Sequence, residues 1–245
     1  PVSNDLVTLA NYTIPAQELV DQRFSPRLPG YATDGPLLPL SRLDDLTPVT
    51  NKMLLDPPVD DWLVWRRTYA NLGHSPLVEI NKENVDDLRL AWTWSLPPGA
   101  NMMTPIVHDG VMFTLSSGEV VQAIDAATGD LLWAYQHEIA DGINSESKKG
   151  VAIWKDQIVV ATSDLKLIAI EAKTGRLVWE HAIETNGEQD HRFKSAPMIV
   201  NDKAIFGLVG QMAVEGGNFI VAIDLNERDE AWRFYTIARP DEPYG

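Results

Sequence analysis

With 245 residues, 44% of them apolar, the chain has ample material for a sizeable core. Its formal net charge of −15 repels phosphates and argues against a nucleic-acid partner. It would steer a basic protein partner, although a solvated acidic surface is the plainer reading. No apolar run approaches the roughly 18 residues of a membrane-spanning helix, and with no cysteine there is no disulfide.

Residues 1–58 form a distinct first segment. Pro15, Pro26, Pro29, Pro36, Pro39, Pro48, Pro57 and Pro58 interrupt it, and no sustained period of either kind runs through it. An extended arm is expected, with at most short helices near Ala16–Gln22 and Val49–Leu54. Leu37, Leu38, Leu40, Leu43 and Leu46 favour an arm laid against a partner chain, because disordered tails are poor in large apolar residues. Pro1, with no signal-peptide pattern after it, reads as the start of a processed chain.

From residue 59 to 245 the pattern changes to short apolar runs separated by turns. The pairs Ile106–Val107/Val111–Phe113, Ala152–Ile153/Ile158–Val160 and Met198–Val200/Ala204–Phe206 each flank a two-residue turn: Asp109-Gly110, Lys155-Asp156 and Asn201-Asp202. They predict hairpins of strands buried on both faces. A second element follows each hairpin: AIDAATGDLLW (Ala123–Trp133), AIEAKTGRLVW (Ala169–Trp179) and AIDLNERDEAW (Ala222–Trp232). The tryptophans fall 46 and then 53 residues apart. Thr128-Gly129 and Thr174-Gly175 supply turns in which Asp125 or Glu171 can bond backbone N–H groups. The third copy has Glu227-Arg228 instead, so a looser or different turn is expected there.

Two hairpins per period make a four-stranded blade, and a period near 40–50 residues is the signature of a β-propeller. Trp133, Trp179 and Trp232 are expected to be buried at equivalent places, filling the wedge between neighbouring blades. Three or four blades form an arc whose ends expose apolar faces. Further blades, expected from a second chain, must close the ring.

DDWLVWRRTYANLGHSPLVEINKENVDDLRLAWTWSL (Asp60–Leu96), TPIVHDGVMF (Thr104–Phe113), GEVVQAIDAATGDLLWAY (Gly118–Tyr135), Lys148–Trp179 and Gly216–Pro240 resemble, in order, the quinoprotein alcohol dehydrogenases that use pyrroloquinoline quinone (PQQ). The resemblance covers residues 49–245. It implies an all-β fold in which this chain supplies about half of an eight-bladed ring. The quinone would lie in a central funnel with Ca²⁺ (or a lanthanide) at its reactive carbonyl, and electrons would pass to a cytochrome c. It also implies a periplasmic location. The catalytic Asp, the metal-binding Asn and the aromatic floor of the family come from later blades.

The resemblance places Lys149 where the family has an Arg reaching the quinone oxygens, Thr162 on its cofactor-contacting Thr, and Gly210, with Gly207, on glycines that admit the ring plane. A solvated lysine and a core threonine are the plain alternatives for the first two. Several positions depart from the pattern. Met102 replaces a Glu, Gln211 and Asn218 stand where relatives have two cysteines, and Ile143-Asn144 lies near a vicinal cysteine pair. Met212 and Ala213 fall near the Ca²⁺-ligating Glu; Glu215 is a candidate substitute, with a solvated loop carboxylate as the plainer reading. The histidines, His74, His108, His137, His181 and His191, show no metal-ligand spacing and read mostly as surface residues. An enzyme part and a cofactor-free propeller serving as a binding scaffold both remain open.

Overall fold

A computed structural model describes residues 6–9, 12–15, 41–97, 99–139, 142–143, 148–185, 191–210 and 217–236. Two strands of the arm, β1 (Leu6–Leu9) and β2 (Tyr12–Pro15), pair antiparallel where the sequence predicts none. The helix expected near Ala16–Gln22, like Leu37, Leu38 and Leu40, lies outside the described residues. Two single helical turns follow, α1 (Ser41–Asp44) and α2 (Asn51–Leu55). The second is close to the one expected, and the Thr50 hydroxyl caps it by accepting the Met53 N–H at 3.2 Å.

Three antiparallel sheets come next, the first two assembled in chain order. The first blade is β3 (Ile106–His108), β4 (Val111–Ser116), β5 (Val120–Asp125) and β6 (Leu131–Gln136). The second is β7 (Ala152–Trp154), β8 (Gln157–Ala161), β9 (Lys166–Glu171) and β10 (Leu177–Ala182). In the third, β11 (His191–Phe193) and β12 (Met198–Val200) both pair with β13 (Lys203–Gly210), which is followed by β14 (Phe219–Asp224) and β15 (Asp229–Tyr235). The starts of the first two blades meet in a parallel bridge between Thr104 and Gly150. The chain is an all-β partial propeller, with three blades among the described residues.

Local chemistry explains the turns. Asp109 and Gly110 lie at φ of 48° and 76°, and Asn201 and Asp202 at 46° and 60°. Two such left-handed residues are what a type I′ hairpin turn needs to match strand twist. In the second turn of the first and third blades, Asp125 Oδ1 accepts the Ala127 and Thr128 N–H groups, and Asp224 Oδ1 accepts those of Asn226 and Glu227. In the second blade Glu171 Oε2 accepts the Thr174 hydroxyl instead of the expected backbone N–H groups. The expectation of a different third turn is corrected. Arg228 takes a left-handed φ of 60°, against 79° for Gly129 and 72° for Gly175. Its N–H bonds the Asp224 carbonyl at 2.7 Å, as Gly129 bonds Asp125 and Gly175 bonds Glu171. At the third turn the Asp224 carboxylate holds the same geometry without a glycine, and Arg228 bears the strain. Arg228→Gly should relieve about 1–2 kcal/mol of left-handed strain. Part of that is offset by the entropy of an unfolded glycine, about 0.4–1 kcal/mol. A net gain of about 0.5–1 kcal/mol is expected in equilibrium urea unfolding.

The wedge between blades is filled by indoles seated on the next blade's turn. The Trp92 Nε1–H donates to the Ala126 carbonyl at 3.1 Å and the Trp133 Nε1–H to the Ala172 carbonyl at 2.9 Å. A Cβ on Gly129 would lie 2.7 Å from the Trp92 ring, and one on Gly175 would lie 2.8 Å from the Trp133 ring. Where the third turn carries Arg228, the Trp179 indole bonds Gln157 Oε1 of its own blade instead, at 3.0 Å. Trp133 and Trp179 are 3% and 7% exposed, as expected, but Trp232 is 42% exposed. This last expectation is corrected, because among the described residues no following blade offers a turn to cover Trp232.

The latter part of the arm straps across this chain's own blades. Val49 exchanges backbone hydrogen bonds with Lys155, and Trp62 with Val107. Leu43, Leu46, Val49 and Leu54 belong to the same buried core as the strands. For Leu43 and Leu46, the expected partner chain is therefore replaced by intramolecular packing. An irregular segment can cover apolar strand ends in this way once its backbone groups find partners.

Candidate functional site

Successive strands of a blade run in opposite directions, so the approach to β7, the end of β8 and the end of β13 share one end of the blades. Lys149, Thr162 and Gly210 therefore lie at that end, together with Met102, which precedes β3. Along the innermost strands runs a cavity of about 520 Å³. Ile106, Ala152 and Ile199 line it from the blades, and Leu63, Trp65 and Tyr69 from the strap. The Tyr69 hydroxyl, anchored on the Ile199 carbonyl, holds the strap against the third blade. Burial raises the pKa of this phenol, so it stays a neutral donor.

Thr104, Lys149, Gly150 and Ser195 line the same cavity. The Lys149 side chain is exposed, and it has no ion-pair partner among the described residues. Its carbonyl accepts the Thr104 N–H at 2.9 Å, which ties the first two blades together. Gly150 permits this approach: its φ is +153°, and a Cβ there would lie 2.9 Å from the Thr104 carbonyl oxygen.

Thr162 and Gly210 do not line this cavity. Thr162 is fully buried, and its hydroxyl donates to Asp164 Oδ1 at 2.5 Å and accepts the Lys166 N–H at 3.3 Å. Gly210 is half-buried and gives its N–H to Asn218 Oδ1 at 2.7 Å. Asn218 thus fastens the β13–β14 connection without a disulfide. Gln211, Met212, Ala213, Glu215 and Asn144 lie outside the described residues.

Met102 is exposed and shares a small cleft with Glu119 and Lys148. These two ionic groups were not anticipated from the sequence. Lys148 Nζ lies 2.6 Å from Glu119 Oε1 and donates to Ser163 Oγ at 2.7 Å, all between the first two blades. Lys148 is buried as a tie between blades, while the side chain of the adjacent Lys149 is exposed. A buried pair of this kind is costly to break from one side.

The histidines are corrected as well: His108, His137 and His191 are buried. His137 Nε2 lies 2.9 Å from Asp164 Oδ1 and joins the first two blades. Burial pushes the Asp164 carboxyl up. Hydrogen bonds from His137 and Thr162, with the charges of His137 and Lys166, overcome this and hold it at about 2. His108, Asp61 and Asp109 bring ligand-type atoms within 4.8 Å of one another. Both imidazole nitrogens there are committed to hydrogen bonds, which arranges the group to hold a proton. No helix among the described residues is long and apolar enough to cross a membrane.

Residues 62–244 match the family described as "PQQ: Glucose/ethanol/alcohol dehydrogenase, beta-propeller domain". The chain is 35% identical over 195 residues to quinohemoprotein alcohol dehydrogenase ADH-IIG of Pseudomonas putida, covering 77% of this chain and 27% of that protein. It is 33% identical over 228 residues to the dehydrogenase subunit of the alcohol dehydrogenase (quinone) of Gluconacetobacter polyoxogenes, covering 87% and 30%. Among solved structures, the ADH-IIG enzyme superposes with a TM-score of 0.70 at 34% identity, over 79% of this chain and 30% of that one. A europium-containing methanol dehydrogenase superposes with a TM-score of 0.68 at 25% identity, over 79% and 35%. The chain thus spans about 30% of the length of the curated relatives it matches. In repeat, blade order and sequence alike, it belongs to the PQQ-type glucose/ethanol/alcohol dehydrogenase β-propeller family.

Proposed function

We propose that these three blades form one wall of the cofactor funnel of a PQQ-dependent alcohol dehydrogenase, which oxidises an alcohol to an aldehyde or ketone and passes electrons to a cytochrome c. The observation that carries this reading is the exposed, unpaired Lys149 ammonium on the cavity at the blade starts. A tricarboxylated quinone needs a cation there, beside backbone that can approach closely, and Gly150 and Thr104 supply such backbone. When bound, PQQ supplies the electron acceptor, and Ca²⁺ or a lanthanide the Lewis acid.

Within that reading, Lys149 attracts the anionic edge of the cofactor as a point charge, without the bidentate fork of an arginine. Lys148, Glu119 and Ser163 fix the backbone from which Lys149 projects. Thr162 and Gly210 complete the proposed set, shaping the turn and strand end behind it. The catalytic base and most metal ligands are assigned to the blades that complete the ring. We place those blades on a second chain and the assembly in the periplasm.

A second reading, a cofactor-free propeller acting as a protein-binding scaffold, is favoured by exposed Met102 where the family has a carboxylate. The two readings separate in the near-ultraviolet spectrum of the purified complete protein, where bound quinone absorbs and a bare propeller does not. Lys149→Ala should weaken cofactor retention by at least about tenfold, the loss of one charge-assisted contact of about 1.5–3 kcal/mol. Unchanged retention and turnover would remove Lys149 from the site.

A further inference from the structure

We propose that Thr47, Asp61 and His108 form a proton-dependent latch that holds the strap on the first blade, and with it the strap-side wall of the cavity. His108 is fully buried at the start of the β3–β4 turn. Its Nδ1 lies 2.8 Å from Asp61 Oδ2. Its Nε2 lies 2.7 Å from the Thr47 carbonyl oxygen and 3.2 Å from Asp109 Oδ2. Carbonyl and carboxylate oxygens only accept, and the Thr47 hydroxyl, 3.5 Å from Nε2, is already given to Asp109 Oδ2, so the arrangement favours two donating nitrogens, an imidazolium. A neutral ring would turn a lone pair towards an acceptor in a buried site, at the cost of an unmade hydrogen bond.

The rest of the network closes around the same turn. Asp61 Oδ1 accepts the Asp109 N–H at 3.1 Å. Asp109 Oδ2 accepts both the N–H and the hydroxyl of Thr47, each at 2.8 Å. Thr47 and Asp61 thus clasp one turn from two points on the strap. Between and just beyond them lie Leu54, Leu63 and Trp65, which line the cavity. Releasing the clasp frees the strap from the β3–β4 turn and so loosens that wall.

The ionisable groups facing the ring are Asp61 from the strap and Asp109 from the turn. Arg42, the strap's nearby cation, is paired with Asp125 at 3.0 Å. Burial lowers the pKa of His108. The hydrogen bonds to Asp61 and Thr47 and the charges of Asp61 and Asp109 outweigh it, so the net direction is upward from 6.5. A histidine raised on folding contributes stability that is fully present below its unfolded value and is lost as pH rises through the folded value. The latch is therefore closed in mild acid and weakens in alkali.

The test is hydrogen–deuterium exchange of the protein with its ring complete, from about pH 6 to 9, corrected for intrinsic exchange. Protection of the Thr47, Val49 and Trp62 amides should fall by up to about tenfold per pH unit above the transition, the limit for one proton. The β8 and β9 amides should not follow. His108→Gln should flatten the profile, and Asp61→Asn should move the transition to lower pH. Should either variant fail to fold, the imidazole nitrogen shifts of His108 in the unaltered protein decide the matter. A neutral ring at pH 6, or strap protection unchanged across the range, would overturn the latch.

Discussion

Gly175→Ala is expected to destabilise the protein by about 2–5 kcal/mol. The left-handed φ of 72° costs an L-residue about 1–2 kcal/mol. The added methyl meets the Trp133 ring at 2.8 Å, an overpacking term of about 1–3 kcal/mol. Trp133→Ala alone should cost about 3–5 kcal/mol, as for other large core aromatics. The pair separates the two parts. In a Trp133→Ala background the methyl has room, so Gly175→Ala should cost only its backbone strain. The difference is a coupling of about 1–3 kcal/mol, readable from a double-mutant cycle in urea. Equal costs in both backgrounds would mean that the indole is not seated on the glycine. The interblade wedge would then rest on general apolar burial.

That contact also shows how the sequence carries the fold. A Trp recurs with each blade and a Thr-Gly turn with the first two, so the hairpins, the four-stranded sheets and the burial of Trp133 and Trp179 could all be read from spacing and turn chemistry. Arg228 could not, because a carboxylate cap can hold a left-handed turn that propensity reserves for glycine. The strap could not either. Residues 41–65 have no period, and their docking depends on single side chains such as Leu43 and Leu54 finding strand ends distant in sequence. The histidines failed for a related reason. One His in an apolar run gives no sign of whether a carboxylate lies opposite, and His108 meets Asp61 only because the strap folds back. At the cavity, Lys149 could be placed by resemblance. The neighbouring Lys148–Glu119 pair needed the juxtaposition of two blades to become visible.

In the protein with its ring complete, Trp232→Ala should cost about 3–5 kcal/mol, the penalty for a buried indole rather than an exposed one. On the described surface, Trp232 is 42% exposed, beside Phe234 at 62%. Val209 and Met198 add exposed apolar area on the same blade. Large exposed apolar patches are uncommon on soluble proteins, and propellers remove them by packing the next blade. Trp92 and Trp133 show the rule locally, each indole covered by the turn of the blade that follows. Trp232 stands at the equivalent strand of the third blade and should be covered in the same way by a fourth. The substitution therefore reads the neighbour and not the residue. A complete protein in which Trp232→Ala changes stability by less than about 0.5 kcal/mol, the usual scale of a surface change, would show that no blade packs on β15. The ring would then have to close by some other route.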